Sequence, residues 1–211
     1  MSRQTCLFAA TSVCRQVGTP PRPKELIAMT RTLVLLAHPT LPESRINSAL
    51  VEGIRDLPGV TVHDLYAAYP DFRIDVAHEQ ELLRTHDRVV LQFPFYWYSA
   101  PPLLKKWLDD VLEYGFAYGS TGKALHGKTL TVTATVGGAE ELYRPGGLNR
   151  FPVRDLLLPF DATAHLTGMS YQPPFLVHGT RTVSGELLAD HVRRYRALVT
   201  GAMEGQLAAA A

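Results

Sequence analysis

Residues 33–59 read LVLLAHPTLPESRINSALVEGIRDLPG and set the fold class. The first five are apolar without interruption, as is typical of a buried strand. After a short loop, apolar residues recur at helical spacing from Ile46 to Leu57, and Pro58-Gly59 ends that pattern. A buried strand followed by a loop and an amphipathic helix predicts the opening unit of an α/β domain.

The same alternation continues along the chain. Further strands are predicted at 60–65, 88–93, 128–136 and around 164–169, with helices at 75–85, 101–115 and 184–202 between and after them. Strands separated by helices predict a parallel sheet with helices on both faces. Five strands favour the flavodoxin-like doubly wound order 2-1-3-4-5 over the six-stranded dinucleotide-binding order. Ligands bind such sheets beyond the carboxyl ends of the strands, so the loops after strands one, three and four are the candidate site.

Composition excludes several classes of protein. The 211 residues include 46% hydrophobic and 19% charged residues, which fits one domain with a real core. A net charge of +1 argues against a nucleic-acid partner. No apolar run reaches the roughly 18–20 residues of a membrane span. Both cysteines, Cys6 and Cys14, precede the regular pattern, so we expect no metal centre built on cysteine and a reducing, cytoplasmic location.

Residues 1–28 differ from the rest of the chain. They contain both cysteines and a cluster of three prolines, and they lack a sustained helix or strand period. We expect them to be a disordered extension or to lie upstream of the true start at Met29, which leaves 29–211 as the domain. A signal peptide is the less favoured alternative, because its apolar stretch at 7–10 is short and basic residues soon follow.

The loop after the first strand has the features of a phosphate site. The helix that starts near Ser44 offers free N–H groups and a favourable dipole to an anion. Ser44 and Asn47 can add neutral hydrogen bonds and Arg45 a charged one. Alternatively, Ser44 is only a helix cap and Arg45 is solvated. His38 directly follows the strand, and its position alone does not indicate a function.

The loops after strands three and four are rich in aromatic residues and glycine. Phe95, Tyr96, Trp97 and Tyr98 are consecutive, which suits either the wall of a flat aromatic ligand or a dimer interface. In the later loop, residues 137 and 138 are both glycine, so the backbone there can approach a ligand closely or make a tight turn. Tyr143 follows and can either donate a hydrogen bond at the site or pack.

Several motifs, taken in order, resemble one family. They are AHP (37–39), SxxN (44–47), YxxYPDFxID (66–75), QFPxxWY (92–98), PPxLKxW (101–107), FAYG (116–119) and TVGG (135–138). These segments are similar to the flavodoxin-like NAD(P)H:quinone oxidoreductases, often called DT-diaphorase-like. The bacterial branch that they resemble most includes the ancillary flavoproteins of glutathione-gated potassium efflux systems.

The resemblance implies a non-covalent flavin, either FMN or FAD, and a homodimer with the site at the subunit boundary. It places the flavin phosphate at the loop of His38, Ser44, Arg45 and Asn47. The flavin ring would be lined, largely by backbone groups, by Pro94, Phe95, Tyr96, Trp97 and Tyr98. The polar edge of the ring would meet Thr135, Val136, Gly137 and Gly138, and Tyr143 matches a tyrosine near the site of hydride transfer.

Two positions depart from the family pattern. Val136 replaces a threonine, which removes a hydroxyl and leaves a backbone donor. Asn149 stands where many relatives have a histidine that helps to handle developing negative charge. Asparagine cannot change its protonation state, so proton handling would rest on Tyr143 or on water. His126 and His165 are alternatives that the sequence does not place.

The resemblance implies an NAD(P)H dehydrogenase (quinone). A hydride would pass from NAD(P)H to the flavin and then to a quinone, with ping-pong kinetics and with Tyr143 and Asn149 as catalytic candidates. The main alternative is an ancillary subunit of a potassium efflux antiporter, peripheral at the inner face of the membrane. A one-electron carrier is disfavoured by the charge of +1 and by the lack of a Ser/Thr-rich phosphate loop. A binding module that has lost the flavin is the last alternative.

Overall fold

The computed structural model describes residues 30–202. The predicted extension, residues 1–28, lies outside these described residues. The strands of the described part are β1 (Thr32–Leu36), β2 (Val60–Asp64), β3 (Arg88–Pro94), β4 (Thr129–Thr135), β5 (Ser170–Tyr171) and β6 (Phe175–Val177). The α-helices are α1 (Arg45–Glu52), α2 (Leu65–Ala68), α3 (Val76–Thr85), α4 (Pro102–Val111), α5 (Val153–Leu156), α6 (Leu158–Leu166) and α7 (Gly185–Val199).

The strands form one sheet in the order β2-β1-β3-β4-β5, and β6 also pairs with β4. Every pairing is parallel. The flavodoxin-like order predicted from the sequence is therefore confirmed. In the register, Leu36 lies beside Gln92 and Pro94 lies beside Thr135. The carboxyl ends of β1, β3 and β4 thus meet at one edge, and the three loops that follow them come together there.

The predicted position of the fifth strand is wrong. Residues 164–169 belong to the end of α6 and to the turn after it, where Gly168 has a φ of +73°. The fifth position in the sheet is shared by two short strands, with β5 beside the start of β4 and β6 beside its end. Between them stand Pro173 and Pro174, which lack the N–H that a continuous strand would donate.

Helix boundaries follow local capping. The side chains of Ser44, Asp75 and Ser184 accept backbone hydrogen bonds at the starts of α1, α3 and α7, as is typical of N-caps. Two predicted helices end early, since α1 stops at Glu52 and α4 at Val111. Three helices, α2, α5 and α6, were not predicted.

The core lies on both faces of the sheet. Alternate residues of β1 point to opposite sides, so Leu33 and Leu35 pack with one cluster and Val34 with the other. The largest fully buried side chains are Trp107 of α4 and Tyr195 of α7, one on each side. Within residues 30–202, no helix has both the length and the apolar character to cross a membrane.

A buried carboxylate on α3 connects that helix to β2, to α4 and to the segment that follows α2. Glu79 of α3 is fully buried. Its Oε1 accepts hydrogen bonds from His63 Nε2 of β2 (2.6 Å) and the Tyr69 hydroxyl (2.5 Å), and its Oε2 accepts from Trp107 Nε1 (2.7 Å). Burial alone would raise the pKa of Glu79, but these hydrogen bonds outweigh burial and hold the pKa below its ordinary value. His78 completes a group that resembles a metal site, yet both Glu79 oxygens already have donors.

Candidate functional site

A cleft of about 550 Å³ lies at the carboxyl edge of the sheet. Four loops line it, as expected for the switch point of a doubly wound sheet. The residues that line the cleft are His38, Thr40, Glu43, Ser44, Arg45, Ile46, Asn47, Pro94, Phe95, Tyr96, Thr135, Gly137, Thr180 and Arg181. The structure therefore brings together nine of the residues that the sequence predicted for a cofactor, and it adds the loop after β6.

The first end of the cleft has a net positive charge, from Arg45 and Arg181 against the single carboxylate of Glu43. Arg45 stands in the first turn of α1, and its Nη1 donates to the carbonyl of Val183 at 2.7 Å, which leaves other guanidinium N–H groups to face the cleft. Arg181 lines the same space from the loop after β6. Two guanidinium groups beside a helix N-terminus make a site for an anion such as a phosphate.

His38 lies at the edge of this anion site as a neutral donor. Its Nδ1 accepts a hydrogen bond from the backbone N–H of Thr40 at 3.2 Å. Burial lowers the pKa of His38, against the opposing effect of the Asp64 and Glu43 carboxylates. The imidazole is thus uncharged near neutral pH, with the hydrogen on Nε2.

Asn47 acts between loops. It is buried, and its Nδ2 donates to Thr135 Oγ1 at 2.9 Å and to Ser44 Oγ at 3.1 Å. Gln92 Nε2 donates in turn to the Asn47 carbonyl and to its Oδ1, both at 3.3 Å. Both amide hydrogens of Asn47 therefore bond to the protein, and they tie the start of α1 to the end of β4.

This polar chain continues into the core. The Tyr195 hydroxyl of α7 donates to Gln92 Oε1 at 2.8 Å, and both side chains are fully buried. Sequence reasoning assigned no role to either residue. The available signal was Gln92 itself, a polar residue in the apolar run of β3, since buried polar groups need partners.

The aromatic loop after β3 makes a tight two-residue turn. The backbones of Tyr96 and Ser99 exchange hydrogen bonds of 3.0 and 2.9 Å, and the two residues between them have φ values of 46° and 65°. Left-handed backbone at Trp97 and Tyr98 is costly for side chains of this size. Phe95 and Tyr96 line the cleft, whereas Trp97 is 93% exposed and does not. Phe95 and Tyr96 of the aromatic run therefore line the cleft, and the Trp97 side chain is open to contact by another molecule.

The glycine loop after β4 forms the other end of the cleft. Val136 is fully buried and its N–H donates to the carbonyl of Val177 at 2.8 Å, so the backbone donor that the sequence left available is used by β6. A Cβ at Gly137 would meet nothing within 4 Å, so the backbone there faces open space. A Cβ at Gly138 would lie 3.0 Å from Tyr143 Cε2. Thr135 and Gly137 therefore face the cleft, and Gly138 accommodates the tyrosine.

Tyr143 is held between two rings. Its ring centroid lies 6.2 Å from that of Phe95 and 5.8 Å from that of His178. Burial raises the pKa of Tyr143, and the nearby Tyr98 adds to the rise. Asn149 instead pairs with Tyr98, whose hydroxyl donates to Asn149 Oδ1 at 3.1 Å. His178 was missed in the sequence, where nothing links it to Tyr143.

His126 and His165, the two histidines that the sequence left unplaced, lie away from the cleft. His126 packs against Gly168. The Gly168 carbonyl accepts a hydrogen bond from the Gly127 N–H just before β4 begins, so His126 lies at the amino edge of the sheet. His165 is exposed near the end of α6.

The fold and the cleft define a flavodoxin-like protein, and comparison with known sequences agrees. Residues 30–199 match the family described as having the flavodoxin-like fold, and the chain belongs to this family. It is 47% identical over 165 residues to an uncharacterised NAD(P)H oxidoreductase, YdeQ, of Bacillus subtilis, covering 78% of this chain and 84% of the relative. Identity is also 47% over 165 residues with the glutathione-regulated potassium-efflux system ancillary protein KefG of Pectobacterium carotovorum, covering 78% and 90%.

Solved structures give the same grouping. General stress protein 14 of Treponema denticola, in complex with FMN, is 42% identical with a TM-score of 0.78, covering 81% of this chain and 98% of that one. An NADPH-quinone reductase from P. pentosaceus is 34% identical with a TM-score of 0.75, covering 81% and 98%. The resemblance seen in the sequence motifs is thereby confirmed, and the names of these relatives agree with the predicted class of enzyme.

Proposed function

We propose that this protein is an FMN-dependent NAD(P)H:quinone oxidoreductase. The observation that carries the proposal is the cleft itself, which has a cationic helix N-terminus at one end and aromatic and glycine-lined walls at the other. FMN has matching parts, a terminal phosphate and a flat ring. The T. denticola protein, at 42% identity, binds FMN. FAD is the alternative cofactor, and it would need room for a second nucleotide beyond Arg45 and Arg181.

Different residues of the cleft would bind the phosphate and the ring of the cofactor. Arg45, Arg181 and the N–H groups at the start of α1 would bind the phosphate, with Ser44 as the helix cap and His38 as a neutral donor. Pro94, Phe95 and Tyr96 would face the ring, with Thr135 and Gly137 at its polar edge. Bound FMN would supply the two-electron chemistry that amino-acid side chains lack.

The protein would orient the two substrates in turn. NAD(P)H and a quinone are both flat, and both suit the aromatic wall next to Tyr143. One such space, used first by the donor and then by the acceptor, gives ping-pong kinetics. Tyr143 would act there as a hydrogen-bond donor, because its raised pKa keeps the hydroxyl protonated near neutral pH.

Anaerobic titration of the purified full chain tests this function. We expect a flavin absorption spectrum that NADH or NADPH bleaches and that a quinone restores, and the preferred donor is the one that bleaches it faster. A colourless protein that neither FMN nor FAD reconstitutes would exclude a flavoenzyme. A bound flavin that stays oxidised with both donors would exclude the oxidoreductase reaction and leave a binding role.

A second candidate function is that of an ancillary subunit. The observation that favours it is the 47% identity with KefG, which is named for a potassium-efflux system. In that role the protein would bind the cytoplasmic part of an antiporter and lie at the inner face of the membrane. An ancillary subunit can also be an oxidoreductase. Co-purification with the antiporter would support the ancillary role, whereas its absence would favour a free cytoplasmic enzyme.

We also propose a homodimer that completes the site. A second cleft, of about 580 Å³, runs between α4 and α6, where Leu108, Leu112 and Phe160 line an apolar floor. Leu158 and Leu166 of α6 are 57% and 63% exposed, which is costly for a free surface. We expect a molar mass of twice 23.3 kDa in light scattering, and Leu166→Glu is expected to shift it towards the monomer. A wild-type monomer at micromolar concentration would contradict the proposal.

A further inference from the structure

Three side chains that can bind a metal ion lie close together where the edge strand β2 meets α3. They are the imidazoles of His63 and His78 and the carboxylate of Glu79, and one ligand atom from each lies within 4.8 Å of the other two. None of the three residues lines the cleft at the carboxyl edge of the sheet. Imidazole and carboxylate are, with thiolate, the groups that bind zinc in proteins.

The start of α3 fixes the positions of two of these residues. The Asp75 carboxylate accepts a hydrogen bond from the His78 N–H at 3.0 Å, and the Asp75 carbonyl accepts one from the Glu79 N–H at 3.1 Å. His63 belongs to β2, the strand at one end of the sheet. Its ring lies edge-on to that of His78, with the centroids 5.8 Å apart. Helix and strand therefore bring the three side chains together in the folded protein.

The Glu79 carboxylate is charged and held in one orientation. Its hydrogen bonds keep its pKa below the ordinary value, so the group is ionised near neutral pH and attracts a cation. The Tyr69 hydroxyl donates to Oε1 at 2.5 Å and Trp107 Nε1 donates to Oε2 at 2.7 Å. Carboxylates that bind metals are commonly oriented by hydrogen bonds of this kind, from groups that do not touch the metal. These two donors can stay in place when an ion takes the position of the third donor, His63.

Binding an ion requires a small movement of His63. Its Nε2 lies 2.6 Å from Glu79 Oε1, which leaves no room for an ion between the two atoms. Two tetrahedral ligands of zinc, each about 2.1 Å from the metal, are about 3.4 Å apart, so the imidazole would move outward by about 0.8 Å. The His63 side chain is 16% exposed and borders solvent, and its Nε2 proton would pass to solvent as the metal binds. His78 is exposed and can turn onto the ion.

We propose that His63, His78 and Glu79 bind one Zn²⁺ ion, with water as the fourth ligand. Two imidazoles and one carboxylate form a known type of zinc ligand set, whereas Mg²⁺ and Ca²⁺ prefer sites made of oxygen atoms. The ion would tie the edge strand β2 to α3. It would stabilise the folded protein, because the unfolded chain does not hold the three ligands together. The site takes no part in the proposed flavin reaction and does not rest on it.

Equilibrium dialysis of the full chain against Zn²⁺, after treatment with EDTA and removal of the chelator, tests the site. We expect one zinc ion per chain, which an excess of Mg²⁺ does not displace. His78→Gln removes an exposed ligand and should leave the fold intact, and we expect it to raise the Kd for zinc at least about 10-fold, the smallest loss typical even for a group behind a metal ligand. His165→Gln, an exposed histidine on α6, is the matched control and should bind zinc as wild type does. Zinc should raise the Tm of wild type and of this control, and not that of His78→Gln.

Several results would overturn the proposal. If wild type binds no zinc when the ion is in large excess over protein, the three side chains form only a hydrogen-bond network. If His78→Gln binds zinc as tightly as wild type, the ion lies elsewhere, and the thiols of Cys6 and Cys14 are the first candidates. Binding at the proposed site should survive in a variant that carries both Cys6→Ser and Cys14→Ser. The same zinc binding is expected with and without FMN, so failure of the proposed flavoenzyme function would not alter this result.

Discussion

Replacing Glu79 with alanine is expected to lower the free energy of unfolding by about 4 kcal/mol, because it leaves three donors without an acceptor. His63 Nε2, the Tyr69 hydroxyl and Trp107 Nε1 all point at this carboxylate. Each buried donor without a partner costs about 1–3 kcal/mol, and the three costs are not independent. The lost side chain also leaves a cavity between α3 and α4. Chemical denaturation of the purified protein, at constant FMN concentration, measures the difference.

Two variants on the same helix make this measurement specific. Glu79→Gln keeps the volume and one oxygen acceptor, so we expect a smaller loss, about 2 kcal/mol. Glu81→Ala removes an exposed carboxylate that lies 4.0 Å from Arg84 and should change stability by less than about 0.5 kcal/mol. Equal effects of Glu79→Ala and Glu81→Ala would contradict the role of the buried network.

Acid should act on the same group. The folded-state pKa of Glu79 is below its ordinary value, so its contribution to stability is present above the ordinary carboxyl pKa of about 4.3 and is lost as the pH falls through the lower folded-state value. Wild type should therefore lose part of its stability in that acid range. Glu79→Gln lacks this part of the loss, and the two stabilities should converge at low pH.

The order of the strands could be read from the sequence because each βα unit carries its own local signals. Apolar runs marked β1 and β3, a stretch rich in threonine and valine marked β4, and the caps Ser44 and Asp75 marked α1 and α3. The fifth strand could not be located this way. Residues 164–169 include Ala164, Leu166 and Met169, but they form the end of a helix and the turn after it, and the true strands have two and three residues. Segments that short carry no usable period.

The site was predictable loop by loop but not across loops. His38, Ser44 and Arg45 stand within one loop and helix start, where spacing has a physical meaning. Contacts between distant segments leave no such trace. Tyr195 and Gln92 are 103 residues apart, and His178 reaches Tyr143 only because β6 pairs with the end of β4. The sequence therefore indicated three of the loops that line the cleft and missed the residues that fix those loops.

The anion site at α1 leads to the largest expected change in cofactor affinity. Hydrogen bonds to charged groups contribute about 1.5–3 kcal/mol, so removing either arginine should weaken FMN binding about 10- to 100-fold. Arg45→Ala should have the larger effect, because Arg45 also binds the carbonyl of Val183 and holds the loop that carries Arg181. Fluorescence titration of the apoprotein with FMN gives the Kd of each variant, and Arg73→Ala, remote and exposed, is the control.

Riboflavin separates the phosphate contacts from the rest of the cleft, because it is FMN without the phosphate. Arg181 makes no hydrogen bond or ion pair with another described residue, so Arg181→Ala should leave the Kd for riboflavin unchanged while that for FMN rises. Wild-type affinity for FMN should fall as salt is added, and that for riboflavin should not, since salt screens the attraction between charges. If Arg181→Ala weakened both ligands equally, the phosphate would lie elsewhere, and the cleft would bind the cofactor in another orientation. A loss confined to FMN fixes the phosphate at α1, and the geometry of the cleft then directs the flavin ring towards Phe95 and Gly137.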